Sequence, residues 1–184
     1  MTPVLLGEGL TLVRGGRLLF EGLDLCLEPG AALHVVGPNG SGKSSLIRLV
    51  AGLLKPGAGR LERSEAALAD EGLGLDGELP LGLALAFWKG PRLSEAMTVF
   101  ALDQLSHVPV RLLSTGQAKR ARLARVLAAD VPLWLLDEPL NGLDREGVDE
   151  LESAIDAHRS SGGAVLAASH ATLGGKWVKL DLGA

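Results

Sequence analysis

The sequence predicts an α/β fold with a mainly parallel sheet, an N-terminal antiparallel β part and a small helical subdomain. Three observations predict it. Residues 31–36 (Ala-Ala-Leu-His-Val-Val), 133–136 (Leu-Trp-Leu-Leu) and 163–168 (Gly-Ala-Val-Leu-Ala-Ala) are strand-length apolar runs with no polar alternation, the pattern of strands buried on both faces. Helical patterns lie between them, and strands alternating with helices argue a parallel sheet. The first run leads straight into a glycine-rich loop that opens a helix.

Each element has its own signal. Residues 9–27 alternate around the turn Arg14-Gly15-Gly16-Arg17, which predicts a hairpin, and Glu28-Pro29-Gly30 is a second turn. The run at 31–36 is the first buried strand. Residues 43–54 read as a helix stopped by Lys55-Pro56-Gly57. Residues 62–112 hold several Gly and Pro and predict two or three helices with loops. Within them, residues 79–88 are almost wholly apolar and fit either a core helix or an exposed docking patch for another subunit. Ser114 is placed to cap a helix running to about Ala129, along which Lys119, Arg120, Arg122 and Arg125 are spread. Residues 133–136 form the second strand, 145–159 a helix, and 163–168 the third strand, ending at Ser169-His170. The expected organisation is one domain over 1–184, with the helical subdomain inserted at approximately 62–130.

Bulk properties exclude several classes. A chain of 184 residues with 47% apolar content can bury a sizeable core and is not disordered. Its mean hydropathy above zero suggests some surface covered by a partner. A net charge of −4 argues against a basic nucleic-acid groove. Cys26 is the only cysteine, so no internal disulfide can form. No run approaches the ~18 apolar residues of a membrane span, and no signal peptide is expected. Any membrane contact would be peripheral or go through another chain.

The loop Gly37-Pro38-Asn39-Gly40-Ser41-Gly42-Lys43-Ser44 matches G-x-x-x-x-G-K-[ST], and with Ser45 it forms the expected nucleotide cradle. Triphosphate oxygens carry dense charge, and backbone N–H groups reach them only if side chains do not intervene; Gly37, Gly40 and Gly42 permit that approach. The loop opens a helix, whose free N–H groups favour anions. Lys43 supplies a full charge to the β- and γ-phosphates, and the Ser44 hydroxyl is a candidate Mg²⁺ ligand. Asp137 and Glu138 follow the second strand, at the strand end where α/β proteins bind ligands. Asp137 would hold Mg²⁺ through water, and Glu138 would orient or deprotonate the attacking water. His170 closes the third strand beside the same crevice, within reach of the γ-phosphate. A second glycine turn, Leu113-Ser114-Thr115-Gly116-Gln117, is another anion site at a helix N-terminus.

Together with Asn141-Gly142-Leu143-Asp144, these motifs resemble in order and spacing those of the ATP-binding cassette (ABC) ATPases, across nearly the whole chain. They correspond to that family's Walker A, signature, Walker B, D-loop and switch-histidine elements. The resemblance implies ATP and Mg²⁺ as cofactors and a head-to-tail pair of ATPase subunits, the arrangement of a homodimer. In it, Ser114, Gly116 and Gln117 of one copy face the γ-phosphate on the other copy's loop, and Asp144 lies across the interface. Within the family the chain is similar to the small ATPases of cytochrome c maturation, on residues 13–23, 46–59 and 132–144. That similarity implies an ATP-hydrolysing subunit of a haem-exporting translocase. It would sit peripherally on the cytoplasmic face of the bacterial inner membrane, with polytopic membrane subunits of the Ccm-type B kind.

Two positions depart from the family pattern. Where the family stacks an aromatic residue on adenine, this chain has Arg14, which either stacks its guanidinium on the base or is a hairpin-tip surface charge. The family's glutamine loop has no glutamine here: Gln104 falls too late and Gln117 belongs to the signature. Asp70 or Glu71 stands near that place, either as a Mg²⁺ ligand or in a solvated acidic loop. Other readings are the ATPase of a different ABC transporter, a cassette acting on nucleic acid or ribosomes, and a degenerate cassette that binds ATP with little turnover.

Overall fold

The structure, a computed structural model, describes residues 2–70, 72 and 74–183. Eight strands occur among the described residues: β1 (Leu5–Arg14), β2 (Arg17–Leu27), β3 (Ala32–Val36), β4 (Ala58–Arg63), β5 (Ala66–Ala69), β6 (Leu133–Asp137), β7 (Ala164–Ala168) and β8 (Val178–Asp181). The α-helices are α1 (Lys43–Val50), α2 (Leu81–Ala86), α3 (Leu93–Val99), α4 (Thr115–Ala128) and α5 (Arg145–Ser160), with short 3₁₀ turns at Asp103–Leu105 and Val110–Leu112. The chain divides into two compact units. Among the described residues, one comprises those within 2–68, 131–138 and 158–183, and the other those within 69–130 and 139–157.

The first unit carries two sheets. β2, β1 and β4 form an antiparallel sheet in that order, with Leu5 opposite Leu27 on one side and Arg63 on the other. The second sheet runs β5-β6-β7-β3-β8, and its β6–β7, β7–β3 and β3–β8 pairs are parallel. Every residue of β6 and β7 is buried, which is why both read as unbroken apolar runs. Trp134 of β6 stacks on His158 with ring centroids 4.1 Å apart and planes 8° from parallel.

β4, β5 and β8 were not expected from sequence. Ala58–Arg63 is largely exposed and polar, and Val178–Asp181 is exposed except for a half-buried Leu180. Neither stretch has an apolar run for a reader to find. The helix expected over 43–54 ends at Val50. Gly52, at φ +83°, turns the chain left-handed, and Leu53 N–H donates back to the Arg48 carbonyl.

The second unit is built around α4. Ser114 Oγ accepts from the Gln117 N–H at 3.2 Å, and the Gln117 side chain accepts from the Ser114 N–H at 2.9 Å, a reciprocal capping box. α2 buries Leu81, Ala84 and Leu85 but exposes Leu83, so residues 79–88 are neither wholly core nor wholly surface. Leu79, Phe87 and Trp88 continue the exposed face.

Gly90 sits tightly against α4. A Cβ there would stand 2.5 Å from the Ala128 carbonyl oxygen, a backbone atom that cannot swing aside. Gly90→Ala is therefore expected to destabilise the protein by about 2 kcal/mol, the scale of overpacking in a filled interior. Thermal melting reads this directly, and an unchanged midpoint would show that the α3–α4 junction is loosely packed.

Candidate active site

The parallel register brings three strand ends together. Val35 of β3 lies opposite Ala168 of β7, and Ala168 lies opposite Asp137 of β6. The residues that follow, Gly37, Ser169-His170 and Glu138, therefore leave one edge of one sheet, the edge where α/β folds bind ligands. The sequence expected these strand ends at one crevice; the pairing order makes β7 the neighbour of both β3 and β6.

The phosphate loop is folded around its lysine. Lys43 is buried, and its Nζ donates to the carbonyls of Gly37 at 2.9 Å and Pro38 at 3.1 Å, closing the loop on itself. Gly42 needs its missing side chain twice over. Its φ is +109°, and a Cβ would stand 3.2 Å from Leu19 Cβ on β2. Ser41 Oγ is buried and has no hydrogen-bond partner among the described residues. Pro38, Asn39 and Gly40 are exposed. The loop thus offers an unmatched hydroxyl, a buried cation and the open N–H groups of a helix start, a donor set that suits phosphate.

Ser44 Oγ donates to Asp137 Oδ1 at 2.9 Å, joining the two metal candidates from opposite motifs. These are two hard oxygen donors, the type Mg²⁺ takes. Glu138, one residue on, has φ +46°, an unusual backbone state for a residue with a side chain, and its N–H donates to the Ala168 carbonyl at 2.8 Å. The strand therefore ends by turning Glu138 sharply while keeping its backbone tied to β7. His170 lies on the neighbouring strand end. Its N–H donates to Glu138 Oε2 at 3.4 Å, and its Nε2 is 3.5 Å from Glu138 Oε1, an ion pair whenever the imidazole is protonated. The candidate general base and the switch histidine thus touch each other directly.

Arg14 stands beside this loop: its Nη1 donates to Ser45 Oγ at 3.3 Å. Arg17, directly opposite Arg14 across the hairpin, puts its Nη1 3.7 Å from where a Cβ on Gly40 would be. Sequence reasoning treated Arg17 only as part of a turn. Its spacing from Arg14 around Gly15-Gly16 was the available signal, because a two-residue loop sets its flanks face to face.

The second unit holds the other glycine turn. Ser114, Thr115 and Gly116 start α4, and a Cβ on Gly116 would come within 3.1 Å of the Gly142 carbonyl. Signature and D-loop therefore pack backbone to backbone. Asp144 Oδ1 accepts from the Gly147 N–H at 2.9 Å and from Arg120. The Gly147 bond first, and the Arg120 guanidinium second, hold its carboxyl below the usual carboxylate range. The Asp144–Arg120 pair was not expected from sequence, which gave Asp144 only a role across an interface.

At the place of the absent glutamine, Asp70 is buried rather than in a solvated acidic loop, and its charge acts on Arg125. Burial pulls the Arg125 guanidinium below its ordinary value, and Asp70 partly restores it. The Arg125 guanidinium carbon also lies over the Trp88 ring, 4.4 Å from its centroid. Glu71 lies outside the described residues. Gln104 is exposed in the 3₁₀ turn Asp103–Leu105.

A cradle for phosphate beside two strand-end carboxylates and a histidine, with a separate capped glycine turn, defines an ABC-type ATPase domain. Residues 20–141 match the family model described as ABC transporter. A solved ATP-binding subunit of an ABC transporter superimposes with a TM-score of 0.83 at 21% identity, covering 91% of this chain and 79% of that one, which shows the shared fold. The "Cytochrome c biogenesis ATP-binding export protein CcmA" of Sphingopyxis alaskensis is 53% identical, covering 94% of this chain and 93% of the relative. Its counterpart in Novosphingobium aromaticivorans is 56% identical, covering 87% and 85%. The chain belongs to the CcmA family of ABC transporter ATP-binding proteins.

Such subunits act with membrane subunits in transporter complexes. No helix among the described residues is long and apolar enough to cross a membrane.

Proposed function

We propose that this subunit hydrolyses ATP to drive the haem-export step of cytochrome c maturation, at the cytoplasmic face of the bacterial inner membrane. The observation that carries the ATPase part is the Ser44–Asp137 hydrogen bond with Glu138 and His170 beside it. The cytochrome c part rests on the similarity to the CcmA proteins. The β- and γ-phosphates lie along the loop, where Lys43 leaves its two carbonyls for them. Ser44 and Asp137 would hold Mg²⁺, which would supply charge neutralisation to the phosphates. Glu138 orients the attacking water and accepts its proton, and His170 positions Glu138 and contacts the γ-phosphate. Arg14 lies over the nucleotide in place of an aromatic ring.

Hydrolysis needs two copies, head to tail. Ser114 Oγ accepts from its own cap, which leaves its O–H free to donate to the γ-phosphate on the other copy's loop. The Thr115 and Gly116 N–H groups at the start of α4 have no helical partners and can bind the same oxygens. Gln117 keeps Ser114 in place through the capping box, and Asp144 stands on the facing surface. The helical unit that holds residues 69–130 receives the membrane subunit, of the Ccm-type B kind. Its exposed face of Leu79, Leu83, Phe87 and Trp88 fits an apolar partner better than water.

Affinity purification from bacterial membranes in mild detergent tests the assignment. Recovery of a polytopic subunit encoded with cytochrome c maturation genes is the expected result. Recovery of an unrelated transporter's membrane subunit would keep the ATPase reading and remove the haem-export one. Co-purification with ribosomes or RNA would overturn both.

A further inference from the structure

Arg14 and Arg17 face each other across the β1–β2 hairpin, and both guanidinium groups border the phosphate loop. Among the described residues, no carboxylate pairs with either one. Like charges directly opposite on a two-stranded ribbon repel and cost stability. A third cation, Lys43, is buried in the same loop. Three positive charges converging on backbone N–H groups, with no carboxylate on either arginine and only carbonyls on Lys43 among the described residues, make a field that suits a polyanion. The side chains of β2 also fix this geometry. Leu19 and Phe20 pack against Gly42, so the strand that carries Arg17 is held to the loop by contact and not by chance proximity.

On the reading that ATP occupies the phosphate loop, we propose that Arg17 is a further nucleotide-binding residue that acts on the polyphosphate. Together the Arg14–Arg17 pair makes charge, rather than base stacking, the main source of affinity in this subunit. Charge on an exposed hairpin is screened by salt, whereas stacking is not. A triphosphate without a base therefore keeps most of the binding. Two properties follow: affinity for ATP falls steeply with ionic strength, and inorganic tripolyphosphate competes effectively with ATP.

Equilibrium binding of ATP and of inorganic tripolyphosphate to the full chain tests this, each with Mg²⁺ and at about 0.05 M and about 0.5 M salt. The native chain is expected to bind tripolyphosphate within about tenfold of ATP, and both ligands should weaken about tenfold at the higher salt. Arg17→Ala should weaken both ligands about tenfold at low salt and flatten the salt dependence; Arg17→Lys should keep most of both. Arg17→Gln keeps the stem without the charge and serves if the alanine variant melts early. Unchanged affinity and salt dependence in the charge-removing variants would overturn the proposal. So would a loss confined to ATP, because the contact would then be with base or ribose. Lys43→Ala separates this from the reading beneath it: if that variant binds both ligands like the native chain, the phosphate-loop assignment fails whatever Arg17 does.

Discussion

Glu138→Gln is expected to lower ATP turnover by about a hundred- to ten-thousandfold, the range for removing a positioned general base, with ATP affinity nearly unchanged. The substitution keeps the shape of the side chain and removes its proton-accepting charge. The backbone at Glu138 is tied to Ala168 and already turned to φ +46°, so the amide should sit where the carboxylate sat. The His170 contact at 3.5 Å loses its ionic part but not its geometry. With hydrolysis blocked and ATP still bound, ATP-bound dimers should accumulate, visible as a doubled mass in gel filtration with Mg²⁺ and ATP. Turnover equal to the native chain would remove Glu138 from the chemistry. Blocked turnover with no dimer would keep Glu138 in its role and count against the composite site.

The second large effect belongs to Leu83. It is 61% exposed on α2, between Leu79 and Phe87 at helical spacing, while Leu81, Ala84 and Leu85 hold the opposite face in the core. Leu83→Asp should therefore leave the melting temperature within a few degrees of native, as surface substitutions do. It should leave ATP binding intact as well. A charge driven into an apolar interface goes unpaired, so association with the membrane subunit should fall by about a hundredfold or more. Flotation of membranes from cells producing the variant measures this. Retention on membranes at the native level would exclude this face as the docking surface, and loss of folding would show that Leu83 is core after all.

The structure also joins this face to the signature helix. Trp88, at the edge of the patch, lies over Arg125, and Arg125 is the α4 residue on which buried Asp70 acts. None of this was legible. Asp70 read as a Mg²⁺ ligand or as part of a solvated acidic loop, because it sits among other acids and glycines, and only packing buries it. Arg125 read as one of four similar cations along a helix. A helical pattern states which residues share a face, not which of them is dehydrated by a tryptophan from elsewhere in the chain.

Other elements were plain for equally physical reasons. β3, β6 and β7 were readable because strands covered on both faces must be apolar throughout. The start of α4 was readable because a capping box is a local bargain between residues three apart. β4 and β8 were not, because an exposed strand is held by its neighbour's hydrogen bonds and needs no pattern of its own. The length of α1 was overestimated, since its apolar character runs past Gly52 while its backbone does not.

By itself, the sequence determined the chemistry of the phosphate loop, the carboxylates and histidine that close the buried strands, and the family. Those depend on residue type at short spacing, where covalent geometry leaves little choice. Only the tertiary structure decided which of these groups meet. Strand order set Gly37, Glu138 and His170 at one sheet edge, the hairpin register set Arg17 beside the loop, and packing turned Asp70 inward. Contacts of that kind join residues far apart in the chain, and no local pattern records them.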